Sequence, residues 1–370
     1  MTDHQAEALY RGQIIYMCAF DIAYEMKRQP LTALLGCPVQ DYSLGPSKRN
    51  PKRLFFYRPQ MFVLPDKEYI INGKPAIARR SVKVFNVGAI SIQIRIPFEV
   101  AGIEDLVPFH DIELSGASIK DEMTRLAEEI YLELKPYCIR QALNLKQTED
   151  YTVFCLDQLP VVPDGSTAED WLKKNRLKIA GLLTEEQDAA NLSKQEAAES
   201  TEQYLSYYTN DLVVIDWDAA LVIGEQSSLN EILHIMELAN VQLVELGAYD
   251  QILDSSLETA YRDLTQRSRV KRQVQQNLRE IRIDTARLSD EMLNITKFFG
   301  DWYLASIYRK ISVRFHLADW HGIIKEKLKT LADLYQILQQ DWVNFLMVLL
   351  EVTIVLLFVI DLVLLLVTAH

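Results

Sequence analysis

The chain has 370 residues, 49% hydrophobic and 24% charged, enough for a folded domain of ordinary size plus a substantial helical part. Its formal net charge of −12 excludes a general nucleic-acid binder but leaves room for a local basic patch. The four cysteines, Cys18, Cys37, Cys138 and Cys155, form no C-x-x-C pair, so they read as reduced, mostly buried thiols in a reducing compartment rather than a zinc site.

The opening "MTDHQAEALYRGQ" has no basic run leading into an apolar core, so it does not read as a secretory signal. Residues 1–160 then alternate between short strand-like and helix-like pieces. "GQIIYMCAFDI" reads as a strand. "PLTALLGC" reads as a short helix closed by Gly36. "RLFFYRPQMFVL" reads as a strand, at a sheet edge because of Pro59. In "SVKVFNVGAISIQIRIPF", Val82, Val84, Ile90, Ile92, Ile94 and Ile96 all fall on even positions, the period of a half-buried strand. Gly88 interrupts that run where a hairpin or bulge fits. "SIKDEMTRLAEEIYLELKPYCI" is an amphipathic helix with Ser118 as N-cap and Asp121 three residues on. "YTVFCLDQL" is a further strand. Antiparallel strands with helices on one face predict an α+β domain, with a ferredoxin-like arrangement as one option.

Residues 161–227 read as linker helices and a strand pair. "PVVPDGSTAED" is a loop by composition, and "EEQDAANLSKQEAAESTEQYL" is a solvated helix or linker. "DLVVIDWDAALVIG" reads as two short strands or a strand and a turn. Its four apolar residues followed by D-x-D resemble the first motif of haloacid-dehalogenase-type phosphotransferases. That resemblance implies a nucleophile at Asp216 and a general acid/base at Asp218. The bland reading is a strand ending in polar turn residues.

Residues 228–343 read as a helical coiled coil or bundle. Leu246, Leu253, Leu257, Ala260 and Leu264 follow 3/4 spacing. So do Leu278, Ile281, Leu288, Met292, Ile295 and Phe299, and again Ile324, Leu328, Leu331, Tyr335, Leu338 and Trp342. Gly300-Asp301 and His321-Gly322 are the expected breaks. "FFGDWYLASIY" reads mainly as core packing. Arg267, Arg269, Lys271, Arg272, Arg279, Arg282 and Arg287 make a locally basic stretch. It suits contact with a ribosome, RNA or an anionic lipid surface, or a solvated face whose acids lie on neighbouring helices.

Residues 344–367 are predicted to be a transmembrane helix, since about 20 apolar residues span a bilayer core. Lys325, Lys327 and Lys329 precede it and no Lys or Arg follows, so the N-terminal bulk is expected in the cytoplasm, at an inner or plasma membrane. A tail anchor of this kind enters the membrane after synthesis of almost the whole chain. One continuous helix is expected from about Ile323 through the bilayer, on the order of 65 Å long. Glu351 and Asp361 interrupt the apolar run. A carboxylate near mid-bilayer costs about 2.5–3.5 kcal/mol on insertion scales. The two are roughly 80° apart around an ideal helix, so they share one broad side. With no second membrane helix in the chain to shelter them, another copy is the economical partner, and homo-oligomerisation follows.

Glycine loops of the G-x-x-x-x-G-K-S/T and G-x-G-x-x-G types, G-x-S-x-G, and metal-spaced histidine pairs are missing. Catalytic, cofactor-binding and metal residues are accordingly predicted as none, and no small-molecule substrate is identified. The whole pattern resembles the RMD/YagE-like family, named for a requirement in meiotic nuclear division and long filed as a domain of unknown function. "LLEVTIVLLFVID" supplies the family's Leu-Glu pair at Leu350-Glu351 and a second acid ten residues on, although Asp361 stands where Glu is commoner. "IIKEKLKTLADLYQIL" is similar to the family's penultimate helix. "IIYMCAFDI" and "VKVFNVGAISIQI" are similar to its N-terminal strand and its F-x-x-G-x-V/I strand. The helical stretch from about 229 to 300 departs from the pattern. The resemblance implies an α+β domain, a helical hairpin, a C-terminal anchor and oligomeric assembly; mitochondrial members support translation at the inner membrane.

The leading expectation is a non-enzymatic, tail-anchored, homo-oligomeric membrane scaffold. The alternatives are a homo-oligomeric ion channel or transporter with a CorA-like layout, though without the Gly-Met-Asn signature, and a membrane-bound phosphotransferase using Asp216 and Asp218.

Overall fold

The computed structural model describes residues 10–27, 31–42, 59–71, 73–141, 145, 147–159, 167–265, 279, 283 and 302–368. The chain divides into two compact units. One comprises Met1–Ala248 with Glu291–Ala318, and the other Tyr249–Asp290 with Asp319–His370.

The first unit is built on a nine-stranded sheet. Its strands are β1 (Tyr10–Asp21), β2 (Gln40–Asp41), β3 (Gln60–Ile71), β4 (Lys74–Val84), β5 (Ala89–Val100), β6 (Thr148–Leu156), β7 (Tyr204–Leu205), β8 (Leu212–Ile215) and β9 (Ala219–Ile223). Their spatial order is β7-β8-β9-β6-β1-β5-β4-β3-β2. Every neighbouring pair is antiparallel except β6 and β9, which run parallel. A parallel pair needs a long crossover. Here it is made by α2 (Ala168–Leu183) and α3 (Lys194–Glu199) before the chain returns through β7 and β8.

The α+β class is as expected from the strand pattern. The strand order is not ferredoxin-like, because β3, β4 and β5 form a meander beside β1 and the sheet grows to nine strands. β3 sits next to the two-residue β2, so it is close to an edge, and it begins just after Pro59 as the missing N–H requires. Its register slips between Leu64 and Lys67, where Pro65 stands. Gly88 joins β4 to β5 with φ +100°, and its carbonyl accepts from the N–H groups of Ile22 and Ala23 at 2.9 and 3.0 Å. A Cβ at Gly88 would run into the Ala23 carbonyl.

The even positions of the β4–β5 hairpin are buried as the alternation predicts, and they join one core with Ile14, Tyr16, Phe20, Phe154 and Leu221. Helix α1 (Ile119–Leu134) closes over this face with Met123, Leu126 and Ile130. α2 adds Leu172, Ile179 and Leu182. Ser118 caps α1 as expected, accepting from the Asp121 N–H at 3.0 Å.

The half-buried reading of the hairpin needs correction. Ser81, Lys83, Ser91 and Gln93, on odd positions, are buried too. Helix α4 (Gln226–Thr265) covers them, and its residues 232–247 are buried on every side. The alternation sorted side chains by polarity, and a helix distant in sequence then covered the polar face.

Four further expectations change. "PLTALLGC" is a small hairpin, Ala33–Leu34 against Cys37–Pro38, because Leu35 and Gly36 both have positive φ (47° and 73°), which turns a strand back instead of winding a helix. The 161–227 stretch is not a separate linker. Its strand pair extends the main sheet, and its α2 helix buries an apolar face. Part of the polar stretch 185–205 is α3 and β7 rather than one helix. His321-Gly322 does not break a helix; the break lies at Phe315-His316, where His316 has φ 49°. Gly300-Asp301 and the Leu278–Phe299 stripe lie outside the described residues.

Within the first unit, α5 (Trp302–Arg314) buries Leu304, Ile307, Tyr308 and Ile311, so the described part of the aromatic-rich segment does pack into the core. Helix α6 (Leu317–Thr368) runs unbroken for 52 residues, about 78 Å at 1.5 Å per residue. In the second unit Ile324, Leu328, Leu331 and Tyr335 form its buried stripe, and Leu253 and Ala260 are the buried positions of α4. Lys327 ties the two helices together there, with its ammonium 2.7 Å from Asp250 and 2.6 Å from Asp254.

Candidate functional site

Three arrangements carry chemistry. The first is the far half of α6. Val343–Asp361 is a 19-residue span with mean hydropathy 2.7 and no buried residue, long and apolar enough to cross a membrane. Glu351 and Asp361 both stand on this helix and are exposed. Thr353 turns its hydroxyl back to the Leu349 carbonyl at 2.7 Å, which satisfies it without water.

The second lies at the D-x-D motif. Asp216 and Asp218 sit in the tight turn between antiparallel β8 and β9, closed by the Asp216 N–H donating to the Ala219 carbonyl at 2.9 Å. The strand therefore ends in polar turn residues of a hairpin, as the bland reading of the motif has it. The Asp216 carboxylate is buried and already engaged. It accepts from the Trp217 N–H at 2.8 Å and from Arg314 Nε at 2.6 Å, and it ion-pairs with Arg314 Nη2. Tyr151 brings its hydroxyl to the Asp216 and Ala219 carbonyls, each at 3.1 Å. Burial, reinforced by Glu185 and Asp216, pushes the Asp218 carboxyl above the usual carboxylate range. Among the described residues no group of three or more His, Cys, Asp and Glu side chains is placed to hold a metal ion.

The third was not read from the sequence. Beneath α4, Lys83 of β4 is 4% exposed and ion-pairs with Glu237 of α4, which is fully buried. His234 Nδ1 lies 3.3 Å from the same ammonium. The Tyr42 ring covers that ammonium at 4.0 Å and packs on His234 with ring centroids 4.8 Å apart. Arg95 of β5 donates to Asn230 at 3.0 Å and to Gln93 at 3.1 Å. Burial works against ionising Glu237, but the Lys83 charge outweighs it and holds the carboxyl at about 2. Burial and the Lys83 charge push His234 down to about 4, so its ring is neutral near pH 7. The sequence signal was faint: Lys83 stands in a β-rich run, and His234 and Glu237 are three apart on a helix.

A family model described as the N-terminal domain of the uncharacterized protein MJ0711 matches residues 11–228, more than half of the chain. The chain belongs to the MJ0711 N-terminal domain family. Protein MJ0711 of Methanocaldococcus jannaschii is 24% identical over 246 residues, which cover 66% of this chain and 73% of that protein. No solved structure matches the chain. The matched residues run from β1 to the start of α4. Tyr42, Lys83, Arg95, Asp216 and Asp218 therefore belong to the family domain, whereas His234, Glu237, Arg314 and the apolar span lie beyond it.

The basic stretch is only partly described. Arg279 is helical and exposed. Arg267, Arg269, Lys271, Arg272, Arg282 and Arg287 lie outside the described residues. The four cysteines are free thiols; Cys18, Cys138 and Cys155 are buried and Cys37 is partly so. Burial raises the first three above the usual thiol range, which makes them poor nucleophiles.

Proposed function

We propose that this member of the MJ0711 N-terminal domain family is a non-enzymatic membrane scaffold, anchored and self-associated through α6, with its α+β unit on the cytoplasmic side. One observation carries the reading: α6 changes character along its length. Its first turns bury Ile324, Leu328, Leu331 and Tyr335, whereas Val343–Asp361 buries nothing and is apolar all round save for Glu351 and Asp361. A helix that exposes such a surface needs a lipid or protein environment. The two carboxylates then need shelter, and a second copy of the same helix offers it at matching depth. Lys325, Lys327 and Lys329 before the span favour the cytoplasmic orientation. The resemblance of "LLEVTIVLLFVID" to the RMD/YagE-like family points the same way.

Native mass spectrometry of the full chain in mild detergent tests it. The expected species is an oligomer that Glu351→Leu with Asp361→Leu dissociates while leaving the protein in the membrane fraction. A strictly monomeric parent overturns the reading. The same two carboxylates carry a second reading, an ion-conducting assembly. Cation flux into liposomes that is lost in Glu351→Ala selects it, and no flux in the parent removes it.

A further inference from the structure

We propose that the first unit holds a binding groove for a small molecule with one oxyanion group, a phosphate monoester or a carboxylate, received by Arg176 and the outer edge of Arg314. The groove offers about 610 Å³ between α2, α3, the approach to β7 and the end of α5. That lies within the range of small-molecule sites, roughly 300–1,000 Å³. Arg176, Glu199, Glu202, Tyr204, Arg314 and His316 contribute to its wall.

Two observations point to an anion. The first is Arg176. It is half-buried on α2, and its Nε is shut off from solvent with no hydrogen-bond partner. Its guanidinium makes no ion pair with the rest of the described chain, although Glu199 and Glu202 line the same groove. A guanidinium N–H shut off from water without a partner is costly, and the planar fork matches an oxyanion. The second is the fixed aim of Arg314. Asp216 engages Nε and Nη2 of that guanidinium from beneath. This leaves Nη1 on the groove side, where the nearest carboxylate is Glu199 at 4.0 Å, itself 55% exposed. A buried carboxylate that holds one edge of a guanidinium presents the other edge without further ordering. The D-x-D motif thereby gains a role: Asp216 is a positioning residue for Arg314.

The wall also limits the ligand. Glu199 and Glu202 repel a polyanion, so a nucleic-acid strand is disfavoured and the ligand carries its negative charge at one end. His316 adds a flat ring beside the indole of Trp217, their centroids 5.9 Å apart. It does so from a left-handed backbone (φ 49°) at a helix end where glycine is the usual residue.

Isothermal titration of the full chain in detergent with inorganic phosphate, and separately with acetate, tests the groove. Saturable binding of at least one anion is expected. Arg176→Ala should weaken it tenfold or more, and Arg176→Lys should recover part of it. Lys178→Ala, on the same helix but paired with Glu104, should leave it unchanged. Without anion, Arg176→Ala should melt no earlier than the parent, because the lost guanidinium has no partner. Binding indifferent to Arg176→Ala, or saturable binding of neither anion, overturns the proposal.

Discussion

The two faces of the central sheet solve burial in opposite ways. On one face the even positions of the β4–β5 hairpin carry valine and isoleucine, which pack under α1 and α2 into a continuous apolar core. On the other, the odd positions carry Ser81, Lys83, Ser91 and Gln93, equally dry under α4. The apolar face gains stability in proportion to area removed from water, and any well-shaped hydrocarbon serves. The polar face gains little net energy, because each buried charge needs its partner in place. It instead ties one particular helix, in one register, to one strand. Buried polar atoms on Ser91, Gln93 and Gln242 have no hydrogen-bond partner among the described residues, so this face carries desolvation that the apolar face does not.

Breaking the ion pair should give the largest effect. Glu237→Ala strands the Lys83 charge and should cost about 3–5 kcal/mol in urea unfolding, whereas Lys83→Met with Glu237→Leu should be close to neutral or stabilising. If the double variant is as damaged as the single one, the polar face does more than hold α4. On the apolar face, Ile94→Ala should cost about 2–5 kcal/mol through lost contact and cavity, with no partner substitution that restores it.

Acid should separate the faces next. Glu237 is held at about 2, below its ordinary value, so its contribution is present above the unfolded pKa and is lost as pH falls from about 4.5 towards 2. His234 is held neutral down to about 4, so the unfolded chain takes its proton first and stability falls further between about pH 6.5 and 4. Asp21 and Glu149, pushed by burial up to about 7, act in the opposite sense, and their contribution is lost as pH rises from about 4 to 7. The parent minus the Lys83→Met, Glu237→Leu variant isolates the polar face. That difference should move in the variant's favour as pH is lowered through 4.5; a flat difference contradicts the assignment. The smallest effect belongs to the cap of the helix over the apolar face: Ser118→Ala should cost about 1 kcal/mol, read as a small shift in the urea midpoint.

Much of the apolar architecture was legible because it is local. The even-position stripe and the α6 stripe from Ile324 to Tyr335 follow from repeats of two and of about 3.6 residues, and the Ser118 cap and the strand pair before Gly224 from a few neighbouring residues. α2 was missed although Thr167 and Asp170 form a capping box, because the loop composition just before it drew the reading. The candidate sites were legible only in part. Glu351 and Asp361 stand out against an apolar run, and D-x-D stands out after four apolar residues. Arg176 and Arg314 carry no local signature, and that of Lys83 and Glu237 is faint.

By itself, then, the sequence determined which side chains share a face, where helix α1 begins, and that one span is long and apolar enough for a membrane. Only the tertiary structure decided that the polar face is dry, that β9 lies parallel to β6, and that Asp216 holds Arg314 across 98 residues of chain. The reason is physical. Periodicity records how a residue projects from its own element, over a few residues. Pairing of charges records which elements meet, and that is fixed by the sum of packing over the whole fold.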